Sequence, residues 1–298
     1  MTHSLALIGH RGARGLVPEN TLEGFVAAAA IGLDGVELDV ALTADFMAVV
    51  CHDPALNPDL ARGADGAWIA APGPLIHTLP EAALAAYDVG RLRPASALAA
   101  SFPDQRPIDG ARIPRLDAVL ALPGLAFLVE LKTLPDHPDW TAPAAEMAEA
   151  ALAAAERAGA LDRATFESFD WRGPRHLRRL RPELNLAWLT RAATVAEAAL
   201  WWDGPRPEDF AGSVPRAVAA EGGQVWAPEH ADLTAAQIAE AHALGLAVFA
   251  WTVNRPADME RLIGWGIDGL ITDRPDRARL VMEAAGLNLP PARGNHGP

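Results

Sequence analysis

The chain has almost no cysteine, no long apolar run and a deficit of positive charge, and each shortage closes off a class of function. Its one cysteine, Cys51, excludes an intrachain disulfide and leaves the redox compartment open. No stretch approaches membrane-spanning length, and the start of the chain, Met1 to Ile8, has no basic region and only a short apolar run, Leu5–Ile8. That run is too short for a signal peptide, so a cytoplasmic protein without a membrane anchor is expected. With 25 Lys and Arg against 38 Asp and Glu, the formal charge is −13. Such a surface repels nucleic acid and anionic membrane, so no nucleic-acid partner is expected. A phosphate-bearing small molecule would be repelled at long range too, so any phosphate site has to supply its own local positive charge. The sequence also lacks a Walker loop, a Gly-rich dinucleotide turn and a Gly-x-Ser-x-Gly elbow.

What remains is a repeating pattern. Short apolar, β-branched runs alternate with Ala- and Leu-rich helical stretches over most of the 298 residues, which is the pattern of a parallel α/β barrel. Strands are expected at Leu5–Ile8, Gly35–Leu42, Met47–Cys51, Leu125–Leu131, Thr165–Ser168, Leu186–Leu189, Gln224–Ala227, Ala247–Val253 and Gly269–Thr272. Helices are expected between them, among them one near Val195–Trp202. The first helix runs to about Ile31, with Asn20 as its N-cap and Gly32 closing it. Residues from Pro54 to about Ile113 break the rhythm, being rich in Pro, Gly and Ala without a clean strand. The organisation expected is therefore one (β/α)₈ TIM barrel over residues 1–288. A small subdomain, at about 54–113, is inserted after the second barrel strand, and a disordered tail covers 289–298.

The chemistry-bearing residues sit at strand ends. Glu37 and Asp39 lie two apart in Gly35-Val36-Glu37-Leu38-Asp39-Val40, so in a strand both carboxylates face the same way. Glu130 and Lys132 repeat the spacing. Three carboxylates aimed into a barrel are unfavourable without compensation. A hard divalent cation, Mg²⁺ or Ca²⁺, suits this all-oxygen set, and a buried ion network through Lys132 is the alternative. His10 follows the first strand and His52 ends the Met47–Cys51 strand, and such a pair suits acid–base chemistry at a phosphodiester. Arg11 can bind phosphate through its planar fork, and Lys132 can do so as a point charge or act as a counter-ion. Trp251 stands where it can wall a pocket or pack in the core. Cys51, next to His52, faces the opposite way in a strand and is assigned to packing.

Taken in order, these segments resemble the glycerophosphodiester phosphodiesterase family. The likeness runs through His10-Arg11-Gly12-Ala13, Pro18-Glu19-Asn20-Thr21, Gly35-Val36-Glu37-Leu38-Asp39-Val40 and His52-Asp53. It continues in Val129-Glu130-Leu131-Lys132, Ser168-Phe169-Asp170, Trp251-Thr252-Val253-Asn254 and Asp268-Gly269-Leu270-Ile271-Thr272-Asp273. The resemblance implies that Glu37, Asp39 and Glu130 bind a divalent metal and that His10 and His52 are the acid–base pair. It also implies that Arg11 and Lys132 hold the phosphate while Trp251 lines the pocket. The implied reaction converts a glycerophosphodiester and water into sn-glycerol 3-phosphate and an alcohol. The chain departs from the family after His52-Asp53, where Pro54-Ala55-Leu56-Asn57 replaces the usual Leu-x-Arg-Thr, which puts head-group preference in question.

Three other readings remain. A lysophospholipase D-like or sphingomyelinase D-like lipid phosphodiesterase would keep the same site and need an apolar surface, to which Trp68, Ile69, Leu75 and Ile76 could contribute. A non-catalytic phosphodiester-binding barrel would be signalled by loss of His10, His52 or a carboxylate, and all are present. A glycosidase would use two carboxylates but leave both histidines and Arg11 without a role.

Overall fold

Residues 5–292, the span described in the computed structural model, are built around β1 (Ala6–Gly9), β2 (Gly35–Leu42), β3 (Ala48–Val50), β4 (Ala126–Leu131), β5 (Ala164–Ser168), β6 (Asn185–Thr190), β7 (Val225–Pro228), β8 (Ala247–Ala250) and β9 (Gly269–Thr272). All but β3 run parallel, in the order β1-β9-β8-β7-β6-β5-β4-β2, and a β1–β2 pairing closes the ring. The result is the expected (β/α)₈ barrel. Its strands show why acids inside it are informative. All eight residues of β2 are buried. Val36, Leu38, Val40 and Leu42 pack outward in the main apolar core with the surrounding helices, which leaves Glu37 and Asp39 on the inner face. The lower interior is sealed by Ile8, Leu128 and Ile271, a separate apolar cluster against which Phe249 and Trp251 pack.

β3, the strand expected at Met47–Cys51, stands outside the ring. It pairs antiparallel with β2, with Val40 opposite Val50 and Leu42 opposite Ala48, so it is the return arm of a hairpin and not a barrel strand. The chain leaves the barrel mouth along β2, turns, and comes back down. The backbone N–H of Cys51 donates to the carbonyl of Asp39 at 2.9 Å, so His52 is delivered to the mouth from above. His10, by contrast, leaves the C-terminal end of a parallel strand.

The Pro54–Ile113 stretch is held by isolated antiparallel bridges, Ala55 with Leu75 and Arg62 with Trp68 and Asp88, and by short helical turns at Ile76–Thr78, Glu81–Leu84 and Ala97–Ser101. Its own small core, Leu56, Ala61, Ile76 and Leu84, packs on Ala41 and Val49 of the hairpin. Trp68, Ile69 and Leu75 are half-buried and Ile76 is buried, so they do not form the open apolar patch considered above. His77 Nε2 lies 2.9 Å from the carbonyl of Asp139, tying this subdomain to the loop after β4 across the barrel mouth.

Other boundaries shift for local reasons. The first helix is Leu22–Ile31, and its N-cap is Thr21, whose hydroxyl accepts from the Gly24 N–H at 3.0 Å. Asn20 is therefore freed from capping. The helix expected near Val195–Trp202 is two short ones, Ala192–Ala196 and Ala198–Trp201, broken at Glu197. β8 stops at Ala250, and Trp251 goes on as an isolated bridge to Glu229. The stretch from Leu289, expected to be disordered, begins in contact with the barrel: Leu289 packs on the main core and the Pro290 carbonyl accepts from Arg279 at 2.7 Å. Residues 293–298 of that tail lie outside the described span. Among the described residues, no helix is long and apolar enough to cross a membrane.

Candidate active site

The turn after β1 is built for close approach. A Cβ on Gly9 would collide with the carbonyl oxygen of Gly12, and Gly12 itself takes φ 89°. This tight turn holds Arg11 at φ 48° with its backbone N–H donating to Glu37 Oε2 at 2.9 Å. It also aims His10 at the cavity. His10 Nδ1 is 2.6 Å from Asp273 Oδ1, and its Nε2 is 3.7 Å from Glu37 Oε2. Asp273 stands directly after β9 and is held further by Arg14 Nε at 3.0 Å and by Asn254 Nδ2 at 2.7 Å. Burial opposes its ionisation, but His10 and Arg14 keep its carboxyl well below the ordinary range. Burial pushes His10 the other way from a charged histidine: its pKa is lowered despite Asp273. With Asp273 ionised, the shared proton belongs on Nδ1, which leaves the Nε2 lone pair free.

Glu37, Asp39 and Glu130 each place an oxygen within 4.8 Å of the others, all three residues being buried. Asp39 and Glu130 are paired in register on neighbouring strands, with Glu37 one layer deeper on β2. Glu37 Oε1 and Asp39 Oδ1 are buried with no hydrogen-bond partner among the described residues. Buried acceptors normally have partners, so an orphan pair facing a third carboxylate fits a hard cation that the residues themselves do not supply. The charge balance agrees. Burial, with Asp39 and Glu130 beside it, pushes Glu37 well above the usual carboxylate range. Burial also raises Glu130, against the pull of Lys132. Asp39 goes the other way: burial opposes its ionisation, yet Arg11, His52 and Lys132 together hold it well down.

The two expected phosphate ligands are partly committed to these acids. Arg11 donates from Nη1 to Glu19 at 2.8 Å, and its Nε lies 3.1 Å from Asp39 Oδ2 without the alignment of a hydrogen bond. The fork is therefore not free as a whole, and a bidentate grip through Nε is not available; Nη2 remains. Lys132 Nζ donates to Glu130 at 2.7 Å and lies 3.6 Å from Asp39 Oδ1, so it is a counter-ion at the edge of the same cavity. It is the only lysine in the chain, against 24 arginines. A compact ammonium fits between two carboxylates where a planar fork does not. Lys132→Arg is expected to lower kcat/KM by roughly tenfold or more, measured on a variant that unfolds at the wild-type temperature. Unchanged kinetics would show that only the charge matters there.

His52 Nδ1 is 2.7 Å from Asp53 Oδ1, and Asp53 Oδ2 accepts from Asn57 at 2.7 Å. Each histidine thus has Nδ1 on a carboxylate, and both line a cavity of about 390 Å³ together with Arg11, Lys132, Glu130 and Trp251. Trp251 donates from Nε1 to the Ala227 carbonyl at 2.9 Å and meets Phe169 edge-on at 5.4 Å, forming an apolar wall opposite the acids. Burial pushes the Cys51 thiol up, and its Sγ contacts the Asp53 carbonyl, in keeping with a packing role. All eight residues singled out in the sequence therefore meet at one end of the barrel.

Others were missed. Asp273, Asp53, Asn20 and Arg14 orient or neutralise the set. Asn20 Nδ2, for example, donates to Asp39 Oδ2 at 2.8 Å. Asp273 directly follows a strand, the rule that found His10, so that signal was available. Glu167, buried on β5 in register with Glu130, also lines the cavity, and burial beside Glu130 and Asp39 raises its pKa strongly.

Comparison with known proteins decides the family. The family model of the Glycerophosphoryl diester phosphodiesterase family matches residues 10–277, from His10 into the last helix. The chain belongs to this family. A glycerophosphodiester phosphodiesterase of Caldanaerobacter subterraneus subsp. tengcongensis is 29% identical over 271 residues, covering 91% of this chain and 94% of that one. The solved structure of a Silicibacter pomeroyi DSS-3 protein is 37% identical, with a TM-score of 0.88 over 97% of this chain and 96% of that one. An Oleispira antarctica phosphodiesterase, solved in complex with the product sn-glycerol-3-phosphate, shares the fold at 23% identity, with a TM-score of 0.70 over 93% and 96% of the two chains.

Proposed function

We infer that this member of the family hydrolyses glycerophosphodiesters to sn-glycerol 3-phosphate and an alcohol, using His10 and His52 as the acid–base pair. The observation that carries the reading is the pair of orphaned buried oxygens, Glu37 Oε1 and Asp39 Oδ1, at a cavity lined by two histidines that are each anchored through Nδ1. Glu37, Asp39 and Glu130 would hold one divalent cation, Mg²⁺ or Ca²⁺, which when bound polarises the phosphoryl oxygens and offsets their charge. Arg11, through Nη2, and Lys132 hold the phosphate, and Trp251 packs against the carbon backbone of the substrate. His10, kept neutral by burial, takes the proton of the attacking oxygen at Nε2 as the new P–O bond forms. His52 gives a proton to the alcohol oxygen as its bond to phosphorus breaks. Water or the glycerol hydroxyl can serve as the attacking group in this geometry, the latter through a cyclic phosphate. The product seen in the Oleispira antarctica relative supports the choice of a small glycerophosphate ligand.

The test is a coupled assay for glycerol 3-phosphate released from glycerophosphocholine, run with EDTA and with Mg²⁺ or Ca²⁺ restored. Metal-dependent release is expected. No release with any divalent metal would overturn the substrate assignment. A second reading, a lysophospholipid substrate, is favoured by one feature: Leu134, Trp140, Met147 and Trp201 extend the cavity as an apolar wall. Preferential turnover of lysophosphatidylcholine over glycerophosphocholine would establish it.

A further inference from the structure

We propose that Glu167 is a specificity-determining residue whose free carboxyl oxygen, Oε2, accepts a hydrogen bond from a hydroxyl of the substrate's glycerol portion. The proposal rests on the phosphodiesterase reading and deepens it. Glu167 is only 1% exposed, and its Oε2 is buried with no hydrogen-bond partner among the described residues, yet the residue lines the cavity. Its oxygens are not among those of Glu37, Asp39 and Glu130 that gather within 4.8 Å, so it stands outside the metal cluster. The one lysine ammonium is spent elsewhere, Lys132 Nζ donating to Glu130 at 2.7 Å. A buried acceptor left this way is unfavourable in the empty protein, and only a donor arriving with the ligand relieves it.

Its position says which donor. Asp39, Glu130 and Glu167 stand side by side on β2, β4 and β5, and on the far side of Glu167 the cavity wall turns apolar with Leu189, Phe169 and Trp251. Along that wall Ser168 Oγ is already engaged, donating to the Leu131 carbonyl and accepting from the Asp170 N–H. Arg191, whose guanidinium lies 5.4 Å over the Phe169 ring, can only donate, and it disfavours a cationic head group on this side. Quaternary choline has no N–H or O–H next to its charge to satisfy Oε2. The glycerol hydroxyls do, and every glycerophosphodiester carries them. Glu167 therefore sits where a short carbon chain bearing hydroxyls meets both an apolar wall and an acceptor, with the exchanged alcohol directed elsewhere.

The experiment compares binding of sn-glycerol 3-phosphate and n-propyl phosphate, which lacks both hydroxyls, by calorimetry on the Mg²⁺-saturated chain. Wild type is expected to prefer glycerol 3-phosphate by about 5–100-fold, the range for a buried polar group left without its partner when the hydroxyls are missing. Glu167→Met, which keeps the volume and removes the acceptor, should bring that ratio close to one without weakening n-propyl phosphate. Glu167→Gln, which retains a carbonyl acceptor, should keep an intermediate ratio, and thermal unfolding confirms that both variants fold. An undiminished ratio in Glu167→Met overturns the proposal. So does a tenfold or greater loss of Mg²⁺ affinity in that variant, which would make Glu167 a metal ligand. Wild type that releases glycerol 3-phosphate from glycerophosphocholine yet binds the two phosphates equally overturns this proposal alone, whereas wild type with no release overturns the phosphodiesterase reading with it.

Discussion

Replacing His10 with alanine is expected to lower kcat by about 10²–10⁴-fold, the usual contribution of a positioned proton-transfer group, with a much smaller change in KM. The expectation rests on geometry: Nδ1 is fixed on Asp273 at 2.6 Å and Nε2 is left facing the carboxylate cluster. A pH profile makes the test sharper. Burial lowers the His10 pKa and Asp273 partly restores it, so the acid limb of kcat/KM should fall below the ordinary histidine value of about 6.5. Asp273 favours the charged imidazole, so Asp273→Asn should move that limb to still lower pH. The same variant should drop the plateau, because the ring loses the partner that selects its tautomer. A residue that only supports the fold would lower activity at all pH values and leave the limb in place. His10→Ala with wild-type kcat would remove His10 from the reaction.

Withdrawing divalent metal is expected to abolish turnover and to destabilise the chain in a pH-dependent way. Glu37 and Glu130 have pKa values raised by burial. A carboxyl whose folded pKa is raised contributes stability below its unfolded value of about 4.3, and that stability is lost as pH rises through the folded value. Asp39 has the opposite sign: its folded pKa is depressed, so its contribution is present above the unfolded value and lost as pH falls through the folded one. Between the carboxylate range and neutrality the metal-free protein should therefore lose stability as Glu37 and Glu130 ionise against each other and Asp39. A bound cation reverses this, and protons compete with it. At 100 times Kd the stabilisation is about 2.7 kcal/mol, equivalent to roughly 4 °C in Tm for a chain of this size. Thermal unfolding with EDTA and with excess Mg²⁺ or Ca²⁺ at pH 5.5 and pH 8 would check it. The metal-induced shift should be larger at pH 8, and equal shifts at the two pH values would contradict the assignment of these acids as ligands.

The fold was largely legible because β2 and β4 carry two signals at once. Their outward residues, such as Val36, Leu38, Phe127 and Val129, are apolar enough to mark strands buried by helices, and the acids between them fall on the period that points inward. The hairpin arm β3 was legible as a strand from the apolar run Ala48–Val50, and the short turn after β2 leaves it no room for the crossover a parallel neighbour needs. Asn20 and Thr21 are both good N-caps, and only the tertiary position of Asp39 decides that Thr21 caps while Asn20 turns to the carboxylate. Glu167 was silent for a different reason. It is a single acid in a short strand, without the i, i+2 repeat that exposed Glu37 with Asp39 and Glu130 with Lys132.

Metal binding by the three buried carboxylates is the claim on which the chemistry depends, and calorimetric titration of Mg²⁺ and Ca²⁺ into the EDTA-stripped chain tests it directly. One ion per chain should bind wild type, and binding should weaken by at least about tenfold in Asp39→Asn and in Glu130→Gln, as expected when a ligand is lost. Equal affinity in wild type and both variants, or no binding to any of them, would contradict the account.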